Sequence, residues 1–197
     1  MTQDLGDFER HHETVRAEFT RQAASWGRDV ISDDLRWAVD RLGLERDDDV
    51  LDVAAGTGLL SRAIAPRVRS VVALDLTPEM MAEGRRAADR EKLSNVRFEK
   101  GAAEDLPYDP SSFDMVVTRF SVHHFQNPGG VLLEMARVCR TGGRVAVIDI
   151  VAPEDTELAA HYNHLERLRD PSHTRALSAS ELDRLVQESG IRISGKF

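Results

Sequence analysis

Apolar residues recur along the chain at two different spacings, and the spacing changes after Gly43. Before that point Phe8, Val15, Phe19 and Ala23 stand at helical intervals. This periodicity predicts an amphipathic helix from about Phe8 to Ser25. A second helix is predicted from Ser32, whose hydroxyl can cap its first turn, to Gly43, which ends it.

After Gly43, short apolar runs alternate with amphipathic ones. The apolar runs predict five complete strands and the start of a sixth: DVLDVA, SVVALDL, NVRFEKG, FDMVVTRF, GRVAVIDIV and finally IRISGKF. The amphipathic runs predict the intervening helices: LLSRAIAPR, TPEMMAEGRRAADREK, PGGVLLEMARVCR, the stretch 154–169 and a last helix opened by a Ser178–Glu181 capping box. In the stretch 154–169, Leu158, Tyr162, Leu165 and Leu168 share one side. Alternating strands and helices are typical of an α/β fold with a parallel sheet covered on both faces.

Asp52 ends the first predicted strand, just before a glycine-rich turn. A carboxylate is costly to bury there unless a cation or a hydrogen-bond donor meets it. The turn reads G-T-G-L-L-S from Gly56, so Ser61 replaces the third glycine of a dinucleotide fingerprint. A pyrophosphate would be repelled by Asp52, whereas the ammonium and sulfonium of S-adenosylmethionine would be attracted. Asp75, 17 positions after Gly58, ends the second strand and could accept both ribose hydroxyls of either cofactor class.

The chain contains four stretches whose order and spacing resemble those of the class I S-adenosylmethionine-dependent methyltransferases. They are VLDVAAGTG, ALDLTPEMM, GAAEDLPYDPSSFDMV and ARVCRTGGRVAVIDI. The likeness covers roughly Phe8 to Phe197 and is greatest to the small-molecule group that includes the ubiquinone and menaquinone C-methyltransferases. HHETVRAEFTRQAASW and NHLERLRDPSHTR also resemble a bacterial subgroup of uncharacterised methyltransferases. The resemblance implies a three-layer, doubly wound, mostly parallel Rossmann-like sheet with S-adenosylmethionine as cofactor. Because the family has seven strands, the last antiparallel, we expect a C-terminally truncated chain that lacks that strand.

The resemblance also carries site residues over to matching positions. It places Asp52, Gly56 and Gly58 at the methionine part of the cofactor and Asp75 at the ribose. The other cofactor-site candidates are Ala54 and Thr57 in the first turn, Leu76 and Met80 after the second strand, Ala103, Glu104 and Leu106 beside the adenine, and Arg119 and Phe120 after the fourth strand. Met80 is equally well explained by helix packing.

Two positions depart from the family pattern. Ala54 stands where the family has its first glycine, which is tolerable if its φ is negative. Ala102 stands where the family often has an acid for the adenine amino group, and Asp105 or backbone groups are expected to replace that contact.

Histidines supply the candidate catalytic groups. His123 and His124 follow the fourth strand in FSVHHF, near the expected methyl group, so one of them is predicted to border the acceptor pocket and either could act as a general base. His161, His164 and His173 are expected in a lid or pocket wall rather than at a metal, because no ligand motif accompanies them. The family commonly builds that wall from the first helix, here Phe8 to Trp26, and from the insertion over 154–175. Arg169 or Arg175 could meet an anionic acceptor there.

Composition narrows the function further. A formal net charge of -8 argues against phosphate-dominated nucleic-acid binding, and the single cysteine, Cys139, is consistent with the reducing cytoplasm. Neither a signal peptide nor a membrane span is predicted. We expect one domain over 1–197, with a helical cap over about 1–45, a cofactor-binding core over about 46–152 and a lid over about 153–175.

The leading hypothesis is methyl transfer to a small-molecule acceptor, with no metal. The alternatives are a domain that binds the cofactor without turnover and, as a third candidate, a nicotinamide-dependent oxidoreductase. The fifth strand is predicted to leave an unpaired apolar edge, through which a homodimer could form.

Overall fold

The computed structural model describes residues 2–26 and 30–197 and places a five-stranded sheet at the centre of the molecule. The strands are β1 (Asp49–Val53), β2 (Ser70–Asp75), β3 (Val96–Lys100), β4 (Phe113–Arg119) and β5 (Cys139–Ile148). Their order is β3-β2-β1-β4-β5 and every pair is parallel. The predicted α/β fold with a parallel sheet is therefore confirmed.

Helices precede, separate and follow the strands. They are α1 (Thr2–Trp26), α2 (Asp33–Arg41), α3 (Leu59–Ile64), α4 (Pro78–Arg90), α5 (Pro128–Val138), α6 (Thr156–Arg169) and α7 (Ala179–Glu188). The Ser32 hydroxyl caps α2 by accepting from the Leu35 N–H at 3.3 Å, and the Ser178–Glu181 capping box opens α7, both as predicted. Thr77 precedes α4, but its side chain makes no capping hydrogen bond.

Two hydrophobic clusters cover the two faces of the sheet, because successive strand residues point to opposite sides. Leu51 and Val53 pack into one cluster with residues of α5 and α7. Val50 points the other way, into a cluster with residues of α2 and α3. The result is the predicted three-layer arrangement.

Two local predictions are wrong. The sixth strand over 191–197 does not form: the Ile191 N–H closes α7 by donating to the Val186 carbonyl at 3.2 Å, and the Phe197 ring packs on Trp37 with centroids 5.5 Å apart. The fifth strand begins at Cys139 rather than Gly143, because a register shift between Phe113 and Met115 admits extra residues into β5.

Helix α6 turns its leucine side to solvent. Its leucines do share a side, but Leu158, Leu165 and Leu168 are all exposed and the buried residue of the helix is Asn163. Asn163 faces inward because it accepts from the Ala176 N–H at 2.7 Å and from His173 Nε2. The lid expected over about 153–175 stays a prediction.

The strand order reverses between β1 and β4, so the connections after these strands diverge to opposite sides of the sheet. A crevice opens at such a point beyond the carboxyl ends of the strands, and ligands commonly bind there. On the outer edge of the sheet, β5 pairs only with β4 among the described residues, and the homodimer through this edge stays a prediction. No helix within the described ranges is both long and apolar enough to cross a bilayer.

Candidate functional site

A cleft of about 400 Å³, its open mouth included, lies beyond the carboxyl ends of β1 and β2. Residues from five separate parts of the chain line it: His11, His12 and Val15 of α1, Ala54 after β1, Asp75 and Leu76 at the end of β2, residues 101–104 after β3, and His124 and Phe125 after β4. Six of the predicted site residues therefore lie together on its surface: Ala54, Asp75, Leu76, Ala103, Glu104 and His124.

Asp75 ends β2 at the floor of the cleft and joins that strand to two other backbone segments, the glycine turn and the start of α4. Its Oδ2 accepts from the Gly56 N–H and its Oδ1 from the Thr77 N–H, both at 2.7 Å. Burial raises the pKa of this carboxyl group, and the backbone hydrogen bonds only partly offset that effect. The Thr77 hydroxyl and the Leu76 N–H also favour the ionised form, so the carboxylate is held by donors on both oxygens.

The first turn departs from what the sequence suggested at Ala54. The expected negative φ is wrong, since Ala54 has φ +56°, the left-handed conformation that favours glycine. Two distant segments hold it there: the Ser121 hydroxyl donates to the Ala54 carbonyl at 3.1 Å, and the next N–H, of Ala55, donates to the Leu74 carbonyl at 3.0 Å. The alanine therefore keeps the backbone path of a glycine at a cost of about 1–2 kcal/mol.

Gly58, at the start of α3, cannot be replaced by a residue with a side chain, for reasons of both conformation and space. Its φ is +65°, and a Cβ on it would lie 2.7 Å from the ring of Phe98. Gly56 also has a positive φ, +58°, but nothing stands near it. Gly56 is needed for its conformation and its N–H donor, whereas Gly58 is also needed for space.

Asp52 lies beneath the cleft, with an exposed fraction of 1%. Its Oδ2 accepts a hydrogen bond from the Ser61 hydroxyl at 2.6 Å. Burial raises the pKa of Asp52 to about 7, against the effects of the Ser61 hydrogen bonds and of nearby Arg119. The sequence suggested a cation or an ordered water as the partner of Asp52; in the described structure the partner is the serine that replaces the third glycine.

Helix α1 closes one side of the cleft through two histidines. His12 Nε2 lies 3.3 Å from Glu104 Oε2 across the cleft. His11 Nε2 donates to the His124 carbonyl at 2.7 Å. Neither His11 nor His12 was singled out from the sequence, because at helical spacing they read as part of an amphipathic face.

The remaining cofactor-site candidates lie near the cleft but not on its surface. Met80 is 1% exposed and Leu106 is 2% exposed, inside the core. Thr57 is buried. Arg119 and Phe120 end β4, with the guanidinium 4.1 Å from the ring centroid. Asp105 is exposed, so its replacement of the contact missing at Ala102 stays a prediction.

His123 is held by an acid that the sequence analysis missed. Its Nδ1 is hydrogen-bonded to Asp149 Oδ1, and Asp149 Oδ2 accepts from the Ser121 and Val122 N–H groups at 2.9 and 2.6 Å. Asp149 therefore anchors the 3₁₀ turn over Val122–His124 and orients the first histidine of the pair. Its place near the end of an apolar predicted strand, like that of Asp52 and Asp75, was the available signal.

His124 borders the cleft and is nearly buried. Its ring lies 4.1 Å from that of His123 and meets the edge of Phe19 at 5.1 Å. Burial, reinforced by the neighbouring His123, lowers the pKa of His124 to about 4. The imidazole is thus neutral at physiological pH.

The other predicted lid residues have partners within the protein. His173 Nε2 donates to Asn163 Oδ1 at 2.7 Å and its pKa is lowered mainly by burial. His161 is exposed, and Arg169 and Arg175 pair with Glu166 and Glu181. In the described parts of the chain, no group of three metal-ligating side chains comes together.

Comparison with known proteins places these features in a wider group. Residues 51–147 match a family model described as a methyltransferase domain. The chain is 34% identical to a Bacillus halodurans protein of known structure, named as a candidate methyltransferase, with TM-score 0.78, covering 81% of this chain and 69% of that one. It is 42% identical over 132 residues to the uncharacterised methyltransferase YcgJ of Bacillus subtilis, covering 67% of this chain and 52% of that protein.

A third relative has a named reaction. The ubiquinone/menaquinone biosynthesis C-methyltransferase UbiE of Idiomarina loihiensis is 33% identical over 132 residues, which cover 65% of this chain and 53% of that enzyme. The chain spans about half the length of these two curated relatives.

Proposed function

Because the chain belongs to the methyltransferase-domain family, we propose that it transfers a methyl group from S-adenosylmethionine to a small-molecule acceptor. The observation that supports this most is the Asp75 carboxyl group, which lines the cleft at the end of β2 and is joined to the glycine turn through the Gly56 N–H. When bound, S-adenosylmethionine supplies a methyl group on a positively charged sulfur.

The residues present fit this cofactor. Asp75 would hold the ribose, Leu76 and Ala103 would contact the adenine, and the turn at Gly56 would lie against the methionine part. Asp75 and Glu104 make the cleft acidic, which favours a cationic ligand over the pyrophosphate of a nicotinamide cofactor.

Rate enhancement in this proposal comes mainly from alignment and exclusion of water. A methyl group on a sulfonium is intrinsically reactive, so the chain must place the acceptor in line with it. His123 and His124 remain the catalytic candidates. With a pKa of about 4, however, His124 is a weak base near neutral pH, where general bases work best with a pKa near 7.

The experiment combines binding and transfer. Wild-type protein should bind S-adenosylmethionine and its demethylated product S-adenosylhomocysteine in calorimetry, with no response to NAD or NADP. With S-adenosylmethionine labelled on the methyl group, label should pass into the small-molecule fraction of a bacterial extract rather than into its protein or nucleic acid.

Asp75→Asn is the diagnostic variant, since it keeps one oxygen for the backbone but loses the charge. Charge-assisted hydrogen bonds contribute about 1.5–3 kcal/mol, so affinity should fall at least about tenfold. Asp89→Asn, an exposed acid on α4, is the matched control and should bind normally. Binding of NAD with no response to S-adenosylmethionine would refute the proposal; cofactor binding without any label transfer would favour the binding-only alternative.

A further inference from the structure

The loop after α6 contains a chain of hydrogen bonds that the proposed transfer does not yet use. Asp170 ends α6, and its Oδ1 accepts from the Ser172 N–H at 2.9 Å and from the Ser172 hydroxyl at 2.5 Å. Ser172 has an exposed fraction of 0%. Its only hydroxyl proton is therefore committed to Asp170, and its Oγ can act toward other groups only as an acceptor.

This commitment determines where the proton of His124 lies. Two oxygens of Ser172 approach His124 Nδ1: the backbone carbonyl at 3.1 Å and the hydroxyl at 3.2 Å. Both are acceptors, so Nδ1 must be the protonated nitrogen of the neutral ring. Nε2 then carries a lone pair, and His124 is one of the residues that line the cleft.

The ring is also held in place by its surroundings. The His124 carbonyl accepts from His11 Nε2 at 2.7 Å and from the Thr174 hydroxyl at 3.0 Å, and Phe19 packs edge-on against the imidazole. Helix α1, the turn after β4 and the loop after α6 thus converge on one side chain. Such fixed geometry is what a site needs to present a hydrogen-bonding atom at a defined point.

We propose that Ser172, oriented by Asp170, is a positioning residue that keeps His124 in the Nδ1–H tautomer, so that Nε2 accepts a hydrogen bond from an O–H or N–H group of the methyl acceptor. The second half of this statement rests on the proposed function; the first half does not. A neutral acceptor atom at this point favours a hydroxyl or amine on the substrate and disfavours a carboxylate or phosphate, whose oxygens would face the Nε2 lone pair.

The charge state of His124 depends on groups from every element packed against it. These are His123 on the same turn, Asp149 after β5 and Asp170 at the end of α6, with His11 of α1 against the backbone carbonyl of His124. The low pKa of His124 keeps the ring neutral through the physiological range, as the assignment requires.

Nuclear magnetic resonance of protein labelled with ¹⁵N-histidine tests the tautomer directly, without any acceptor or cofactor. At pH 7, His124 should show a protonated Nδ1 and an unprotonated Nε2, and it should stay neutral at pH 5.5. An Nε2–H tautomer or an imidazolium at pH 7 in the wild type would overturn the proposal.

A matched pair of variants tests Asp170. In Asp170→Asn the amide oxygen still accepts the Ser172 proton, so the His124 tautomer should not change. In Asp170→Ala the hydroxyl is released and can donate to Nδ1, so the Nε2–H tautomer should become populated. If both variants keep the wild-type tautomer, Asp170 is structural only. The readout is a nitrogen resonance and does not depend on catalysis. The tautomer test can therefore succeed when label transfer fails, and label transfer can succeed when the tautomer test fails.

Discussion

At the scale of single residues, Asp52 is an acid that is almost completely buried in the folded chain. Its Oδ2 accepts a hydrogen bond from the Ser61 hydroxyl, and burial raises its pKa from 3.8 to about 7. Between these two values the folded state holds a proton that the unfolded state has released. Asp52 therefore lowers the free energy of unfolding progressively as the pH rises from about 4 to about 7. Above pH 7 this destabilisation is complete and no longer changes with pH.

Asp52→Asn should consequently stabilise the protein at pH 8, because the amide is neutral and its oxygen can still accept from Ser61. The expected gain is about 4 kcal/mol, because the pKa rises by about 3 and one pKa unit is equivalent to about 1.4 kcal/mol. It should shrink steadily as the pH is lowered toward 4. Thermal unfolding of both proteins at several pH values measures this difference.

Asp114→Asn provides the opposite control. The pKa of Asp114 is lowered, first by the hydrogen bond from the Asp49 N–H, so its ionised form stabilises the fold above pH 4 and the variant should be less stable at pH 8. A pH-independent effect of Asp52→Asn would show that Asp52 is ionised in the fold at all these values.

At the scale of elements, α4 packs so closely against the first turn at Gly84 that no side chain fits there. A Cβ on Gly84 would lie 2.4 Å from the Phe98 ring and 2.7 Å from the Thr57 carbonyl oxygen. The ring can rotate aside, but the carbonyl belongs to the backbone of the turn that forms the site. Gly84 therefore sets how closely α4 approaches that turn.

Gly84→Ala should destabilise the protein by about 1–3 kcal/mol, as overpacking does, although alanine is normally favoured over glycine inside a helix by about 1 kcal/mol. Gly129→Ala in α5 is the matched control, since its nearest contact would be an ordinary 3.5 Å to Leu185. It should be neutral or stabilising in chemical denaturation. Equal gains from both substitutions would mean that α4 moves away at little cost.

The elements themselves were largely predictable, because each strand and cap depends on residues close together in sequence. What the sequence could not show depends on distant partners. The φ of Ala54 is set by Ser121 and Leu74, and the proton of His124 by a serine 48 positions away. For α6, periodicity predicted which leucines share a side, but only the inward hydrogen bonds of Asn163 determine that this side faces solvent.

At the scale of the whole molecule, α1 is a wall of the cleft that packs against the rest of the fold through few buried apolar side chains. Of its described side chains only Glu18 and Ala23 are buried, and polar contacts from His11, His12 and Thr20 complete the attachment. Segments attached in this way open locally more easily than a central sheet.

Hydrogen exchange followed by mass spectrometry should therefore show faster exchange in α1 than in β1 and β4. S-adenosylhomocysteine should slow exchange in α1, because the bound molecule would lie between it and the strand ends. Peptides from α2, which packs on the face of the sheet that Val50 points to, serve as the control and should not change. Equal protection of α1 and β1 without ligand would show that this helix opens only with the whole fold.

The position of Asp75 makes ligand binding and folding thermodynamically inseparable in this chain. One carboxylate joins the glycine turn to the start of α4 and also faces the cleft, so any ligand that strengthens its contacts strengthens the junction of both segments. By mass action, a ligand at one hundred times its dissociation constant adds about 2.7 kcal/mol to the free energy of unfolding. The affinity of this chain for a ligand can therefore be measured from the rise in Tm that the ligand causes, before any methyl acceptor is known.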